Sequence, residues 1–516
     1  MDFSAQDDAE AQRVSTTRRG GVSLCAESVK SGTGPERPSL KGETWSLPDA
    51  TGSVVPLKFL KSVVFAALLA LIVGSSITRS QAQNQESQKA QQPPTASLSF
   101  VPFGAGLPTS GEWREGFRIA DMNGDGHPDI VHGPPRKRPG SPPVIFLGDG
   151  KGSWALWKEA RFPSLPYDYG DIEVADFNGD GHPDLALAVH FHGLLELIGD
   201  GKGGFTNAGD SSDGATSAGG LDFDPSGRSG FSSRALRALD WNGDGLPDLV
   251  AVGEGPRPGG GRGGASDGIV IYLNQGGPNK SNAWRKNAAT LSPGIFSDSM
   301  ALGDFDGDGH LDIATGSSVL GRNDLVNLWR AGGVAAPVSF DLRGMNHYVQ
   351  AVGAGDFDGD GRDDLAVAYL RLEGEVWFSV IDVFFSRDGG KWERRPLFMQ
   401  ASKNVAVALA SGHLRGSGAP SGRKDTGPDL VALTTEGETL VYLGDGHGGF
   451  TRNDPKAIPV FGGGCRGAHV ALADLDGDGR DEIVASFADE PSSPLSGKAG
   501  PGCSSGGGIV AWKAAR

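Results

Sequence analysis

The chain has 516 residues, a formal net charge of -16, 82 glycines, 32 prolines and 38% hydrophobic residues. That acidity argues against nucleic acid as a partner, and glycines without a three-residue period exclude collagen. No sustained 3.6-residue apolar periodicity marks long helices, which leaves an all-β chain of short strands and tight turns.

Residues 1–57 are polar, broken by Ser, Gly and Pro, and are assigned no fold: a disordered or mis-assigned extension. Residues 58–82 open with Lys58 and Lys61, continue as an apolar run at 63–73 and end at Ser80-Gln81-Ala82. That order is the order of a secretory signal peptide. The alternative is a membrane anchor, for which the run falls short of the roughly 20 apolar residues of a spanning helix. The long segment before this stretch, with no Met between Met1 and Met122, places the expected translation start near Val54, Val55 or Leu57. Residues 83–97 form a Gln/Pro-rich linker, and the repeat region runs from 98 to 516.

Within it a nine-residue loop recurs. The copies are Asp121, Asn123, Asp125, His127 and Asp129; Asp176, Asn178, Asp180, His182 and Asp184; and Asp240, Asn242, Asp244, Leu246 and Asp248. Three more are Asp304, Asp306, Asp308, His310 and Asp312; Asp356, Asp358, Asp360, Arg362 and Asp364; and Asp474, Asp476, Asp478, Arg480 and Glu482. Side chains at positions 1, 3, 5 and 9 and the backbone carbonyl at position 7 make an oxygen cage that suits calcium. Glycines at positions 4 and 6 permit the sharp turn. Six calcium ions would bring the net charge to about -4, so the acidity is mainly a metal-loop signature. Six near-identical sites point to structural rather than catalytic ions.

Successive loops start 52 to 64 residues apart, except for a gap of 118 before the last, which hides a degenerate copy. There, His413, Arg415 and Ser417 replace the acids at positions 1, 3 and 5, and Asp429 follows an insertion. No calcium is expected at this copy. Two explanations stand: Arg415 supplies the positive charge, or the loop is simply released from metal binding.

Each unit has an apolar segment before the loop, a β-type run after it, and a third run ending in an Asp-Gly hairpin signal, as at Gly148-Asp149-Gly150 and Gly444-Asp445-Gly446. A fourth strand begins near Trp154, Phe205 and Phe450. Four short strands repeated seven times predict a seven-bladed β-propeller of four-stranded antiparallel blades. The last unit lacks its fourth strand and residues 98–103 are surplus, so the N- and C-terminal strands are expected to pair and close the ring. Cys465 and Cys503 bracket the last loop, and in an oxidising compartment they are expected to form a disulfide; the alternative is two unrelated buried thiols.

The segments Phe103-Gly104-Ala105-Gly106-Leu107-Pro108, Gly303-Asp304-Phe305-Asp306-Gly307-Asp308-Gly309 and Leu443-Gly444-Asp445-Gly446 resemble the FG-GAP and VCBS-type repeats of bacterial secreted proteins. The fold this resemblance implies is similar to the propeller of integrin alpha subunits. Such repeats serve adhesion, glycan binding and enzyme scaffolding alike.

Other motifs carry less. Gly264-Ala265-Ser266-Asp267-Gly268 imitates a hydrolase elbow but lies in a Gly-rich loop rather than a strand-to-helix turn. His190 and His192 have no third ligand in view. Arg136-Lys137-Arg138 is a basic loop tip. Long connections at 207–233, 255–268 and 490–508 are where binding residues are expected to concentrate. The expected function is a secreted or cell-surface, monomeric, calcium-stabilised binding or adhesion module for a glycan or protein. A lyase-like polysaccharide-processing enzyme on the same scaffold is the alternative, and a membrane-anchored surface scaffold, should residues 58–82 stay uncleaved, is a third.

Overall fold

The ninth residue of each loop opens a run of aliphatic side chains that is buried on both faces, as in the wholly buried strand Asp184–Val189. Burial on both faces means that blades stack against one another rather than presenting one side to water. The computed structural model describes residues 98–135, 140–208, 221–227, 231, 233–253, 268–276, 284–287, 299–316, 324–329, 338–341, 346–416, 427–489 and 503–515. The assignments made above for 1–57, 58–82 and 83–97, and the basic tip at Arg136-Lys137-Arg138, lie outside them. So do the elbow-like motif apart from Gly268 and most of the three long connections.

Among the described residues, the strands form seven sheets of four antiparallel strands each. Blade 1 comprises Phe117–Ala120, Asp129–His132, Val144–Gly148 and Trp154–Leu156. Blade 2 comprises Ile172–Ala175, Asp184–Val189, Gly193–Gly199 and Phe205–Asn207. Blade 3 comprises Ser233–Leu239, Asp248–Gly253, Ile269–Asn274 and Trp284–Lys286. Blade 4 comprises Met300–Gly303, Asp312–Gly316, Asp324–Trp329 and Val338–Asp341. Blade 5 comprises Asn346–Gly355, Asp364–Glu373, Val376–Arg387 and Lys391–Ala401. Blade 6 comprises Ala406–Gly412, Asp429–Thr434, Thr439–Gly444 and Phe450–Arg452. Blade 7 takes Arg466–Ala473, Glu482–Ala488 and Gly507–Ala514 from the C-terminal end, and Phe100–Pro102 supplies its fourth strand, Phe100 pairing with Ala514 and Pro102 with Trp512. Cys465 and Cys503 are bonded beside that same blade. Among the described residues no helix is long and apolar enough to cross a membrane.

The side chain at position 2 of every loop plugs into the next blade. Met122 packs with Ile172 and Leu185 of blade 2, and Phe177 with Leu236 and Tyr272 of blade 3. Trp241 meets Met300 and Ile313, Phe305 meets Val352 and Leu365, and Phe357 meets Leu430 and Tyr442. Leu414 joins Ile483 and Trp512, and Leu475 of blade 7 returns to Phe117 and Ile130 of blade 1. The inner strands likewise touch in order around the ring, the seventh against the first. Each plug buries a large apolar side chain, worth about 1.5–3 kcal/mol, so the loop is also the joint between blades. The degenerate loop keeps its plug, Leu414, although it has lost the acids.

The acidic loops join strands one and two, so they share one end of the blades. Long connections open at the other end. Blade 5 is elongated toward that end: its second strand has 10 residues, against 4 to 7 in the other blades, and Asn346 pairs with Leu372 far from the loop. Four extra residues extend it about 13 Å past its neighbours.

Candidate metal centres

Five of the six acidic loops share one full hydrogen-bond scheme, and the second, around Asp176, has all of it but the bond from Gly179. In the first, Asp121 Oδ1 accepts the backbone N–H groups of Gly124 and Asp125, and Oδ2 accepts that of Gly126. Asp125 Oδ1 in turn accepts the N–H of His127. Gly124 and Gly126 sit at φ 73° and 85° with nothing within 4 Å of an added Cβ, so backbone conformation and not crowding selects glycine. Asp304, Asp356 and Asp474 accept the same three N–H groups within their own loops.

Carboxylate oxygens of Asp304, Asp306 and Asp308 lie within 4.8 Å of one another; so do those of Asp356, Asp358 and Asp360, and those of Asp474, Asp476 and Glu482. In loops one to three the third position is an amide, and Asn123, Asn178 and Asn242 each donate to the carboxylate two residues on. An all-oxygen set of carboxylates, amide and backbone carbonyl fits a hard divalent cation.

Position 9 does more than the sequence suggested. Asp129 is fully buried, and its two oxygens accept the N–H groups of Met122 and Gly148, which ties the loop to the end of the third strand. Asp184, Asp248 and Asp364 repeat this with Phe177 and Gly199, Trp241 and Asn274, and Phe357 and Ser386. Burial, followed by repulsion from nearby acids, raises these groups against the pull of the backbone bonds: Asp129 and Asp248 to about 6, Asp184, which also faces Glu196 of the third strand, and Asp364 to about 7. Glu482 is likewise pushed up to about 7, mainly by burial.

A carboxyl raised on folding stabilises the fold below its unfolded value near 4 and loses that contribution as pH climbs through 6 to 7. Metal-free protein is therefore expected to melt higher at pH 5.5 than at pH 8. Metal-loaded protein should show the reverse, since protons compete for the same oxygens. Melting scans at both pH values, with EDTA and with calcium, check this crossing.

The rings of His127 and His182 lie over the neighbouring hairpins, where a Cβ on Gly150 or Gly201 would come within 2.4 Å of His Nδ1. In the degenerate loop Arg415 places Nη2 2.5 Å from both Asp429 Oδ1 and the carbonyl of Gly444. A guanidinium thus stands on the buried position 9 acid.

A second ionisable cluster lies on the inner strands, and no motif announced it. Asp171, 2% exposed, accepts from Arg118 at 3.2 Å, Arg237 at 2.9 Å and the N–H of Leu236 at 3.0 Å. Arg118 also binds Glu173 and the Leu236 carbonyl, so blades 1, 2 and 3 meet there. Burial would raise Asp171, but Arg118, Arg237 and His469 outweigh it and hold the carboxyl at about 2. His469 is lowered to about 4, mainly by burial, and is neutral at pH 7. Both arginines are committed to pairs, which makes the cluster a clamp between blades.

His190 and His192 do not converge on a metal. His192 Nδ1 faces the Asp224 carbonyl at 2.8 Å, while His190 stacks on Tyr169 at 4.2 Å and meets Phe191 at 3.7 Å.

This combination of repeated oxygen cages on a ring of four-stranded blades defines a propeller of metal-loop repeats. The FG-GAP-like repeat model matches residues 135–187, 230–315 and 424–485, and the FG-GAP repeat model matches 348–377. Those stretches of the propeller carry FG-GAP-type repeats, and repeats of this kind indicate a module of binding or adhesion type. Human integrin alpha-7 is 29% identical over 140 residues, a match covering 26% of this chain and 11% of that protein's length. Among solved structures, the BP39L lectin from Burkholderia pseudomallei aligns at 15% identity with a TM-score of 0.47, covering 80% of this chain and 96% of the lectin. BBS1N in complex with ARL6DN aligns at 12% with a TM-score of 0.44, covering 82% and 98%.

Proposed function

We propose that the protein is an exported, calcium-stabilised propeller that binds a glycan or protein ligand on the face opposite its metal loops. Two features support export: a cysteine pair bonded in the closing blade and the likeness to part of an integrin alpha chain. Calcium is favoured as the ion because the cages offer only oxygen donors on flexible loops. Their repetition around the ring, with every cage also serving as a blade joint, favours a structural role for it.

One observation carries the choice of face. Phe191 has φ 62°, the only positive value at a non-glycine among the described residues, in the turn between the second and third strands of blade 2. That turn opens away from the metal loops. An aromatic side chain in the left-handed region is strained, by about 1–2 kcal/mol, and strain that persists at an exposed tip points to use. The ring is 41% exposed beside His190 and Tyr169, a platform of the kind that stacks on the apolar face of a sugar or an aromatic side chain.

The test is a glycan array and a surface-protein capture screen with the full chain at millimolar calcium. Phe191→Ala is expected to weaken whatever binding is found roughly tenfold, the value of about 1.4 kcal/mol of lost stacking. Unchanged affinity would remove the platform, and a fall in polysaccharide viscosity during incubation would replace the binding module with an enzyme.

A further inference from the structure

The seventh loop departs from the others. Lys513 Nζ bonds to Asp476 and lies 2.8 Å from Asp478 and 3.3 Å from Glu482, so one ammonium touches the acids at positions 3, 5 and 9. Arg480 adds a second cation, 2.6 Å from Asp478. Calcium holds its oxygens at roughly 2.3–2.6 Å, so an ion bound to these three carboxylates would need the volume that the ammonium fills.

The strand register shows how the lysine reaches the cage. Ile483 pairs with Trp512, and Lys513 follows. The equivalent pairs in blades 1, 2, 3, 5 and 6 are Ile130 with Phe146, Leu185 with Leu197, Leu249 with Tyr272, Leu365 with Phe384, and Leu430 with Tyr442. The residues that follow there are Leu147, Ile198, Leu273, Phe385 and Leu443, all apolar. In blade 4 the residue is Arg330, outside the described residues. Blade 7 also has Glu in place of Asp at position 9, and Glu482 meets Lys513 with its second oxygen, where Asp129 accepts the N–H of Gly148.

The fifth loop makes a useful contrast. Arg387 touches Asp358 at 2.5 Å and Asp360 at 3.6 Å. Asp364 there accepts only the backbone N–H groups of Phe357 and Ser386. That arginine borders the cage, whereas Lys513 joins positions 3, 5 and 9.

We propose that Lys513 is the resident cation of the seventh loop, which therefore takes no calcium, as Arg415 is the cation of the sixth. This rests on the calcium reading of the other loops. Its consequence is a metal-independent sector. Blades 6 and 7, which include the closing pair of terminal strands and the disulfide, keep their first turns without an ion. Lys513 also stands 5.4 Å from the ring of Phe103, just past the N-terminal closing strand, so the same side chain braces the closure.

Two measurements on the full chain test it. In hydrogen exchange with 2 mM calcium against EDTA, the amides of 121–129, 176–184 and 356–364 are expected to slow about tenfold or more on adding calcium. Those of 474–482 should change less than about twofold. Equal slowing at 474–482 overturns the assignment; no slowing in any loop overturns the calcium reading and the assignment with it. In equilibrium dialysis, Lys513→Leu, which installs the side chain of blades 1, 3 and 6, should bind one more calcium per chain than wild type. A folded variant with unchanged stoichiometry overturns the role of Lys513, and if the variant does not fold the exchange experiment decides alone.

Discussion

Stripping the protein with EDTA is expected to lower its melting temperature by about 8 °C relative to a sample at 1 mM calcium. Extracellular calcium modules bind with dissociation constants of roughly 0.1–1 mM. At ~0.1 mM affinity and ~1 mM calcium each loaded loop adds about 1.4 kcal/mol. Five such loops, with the seventh held by Lys513, add about 7 kcal/mol, comparable with the roughly 5–15 kcal/mol stability of a whole protein. A propeller of about 420 residues melts with an entropy near 0.9 kcal/mol/K, which converts that energy to the stated shift. Differential scanning calorimetry measures it directly. Magnesium should restore less than calcium, since it demands octahedral geometry at short distances. A melting temperature indifferent to EDTA would exclude structural metal.

The physical origin of the shift lies in the position 9 acids. Without an ion, the first, second, third and fifth loops pack carboxylates around a buried one that burial has pushed up to about 6 or 7. The same carboxylates, loaded, turn from a repulsive cluster into a joint. Because each loop also carries the apolar plug into the next blade, loosening one loop loosens the contact between two blades, and the effect of metal should spread around the ring.

The blades were legible in the sequence because one local pattern, repeated, fixes both a turn and the strands on either side of it. Position 1 fixes the turn by bonding within five residues, which is why the loop reads as a motif. Closure was legible for the same reason: the surplus 98–103 segment and the missing last strand are features of counting. What was not legible depends on residues far apart in sequence. The second task of Asp129 needs the N–H of Gly148, 19 residues away, and Arg118 reaches the Leu236 carbonyl across 118. Lys513 reads as one more charged residue near a terminus until the register places it over the cage. The extra length of blade 5, which carries its second strand on through Tyr369, Leu370, Arg371 and Leu372, has no counterpart in the repeat pattern of the other blades. The platform at Phe191 depends on a backbone conformation that a phenylalanine does not advertise.

Asp171→Ala is expected to destabilise the protein by about 3–5 kcal/mol, the usual result of removing one partner from a buried ion pair. Asp171 takes hydrogen bonds from Arg118 of blade 1, Arg237 and Leu236 of blade 3, and the N–H of Ile172 beside it in blade 2. Alanine would leave Arg237 without its carboxylate partner, while Arg118 would retain Glu173. Asp171→Asn keeps an acceptor for Leu236 and should lose less. The sign of the pH dependence separates this clamp from the metal loops. A carboxyl depressed on folding contributes fully above its unfolded value near 4 and loses that contribution as pH falls through about 2. The penalty of Asp171→Ala should therefore be flat from pH 5 to 8, the range in which the metal-free loops titrate. Chemical denaturation in calcium at pH 5.5 and pH 8 measures both. A penalty under about 1 kcal/mol would mean that the plugs alone hold the inner strands together, and a penalty that changes between the two pH values would mean that Asp171 is coupled to the cages rather than independent of them.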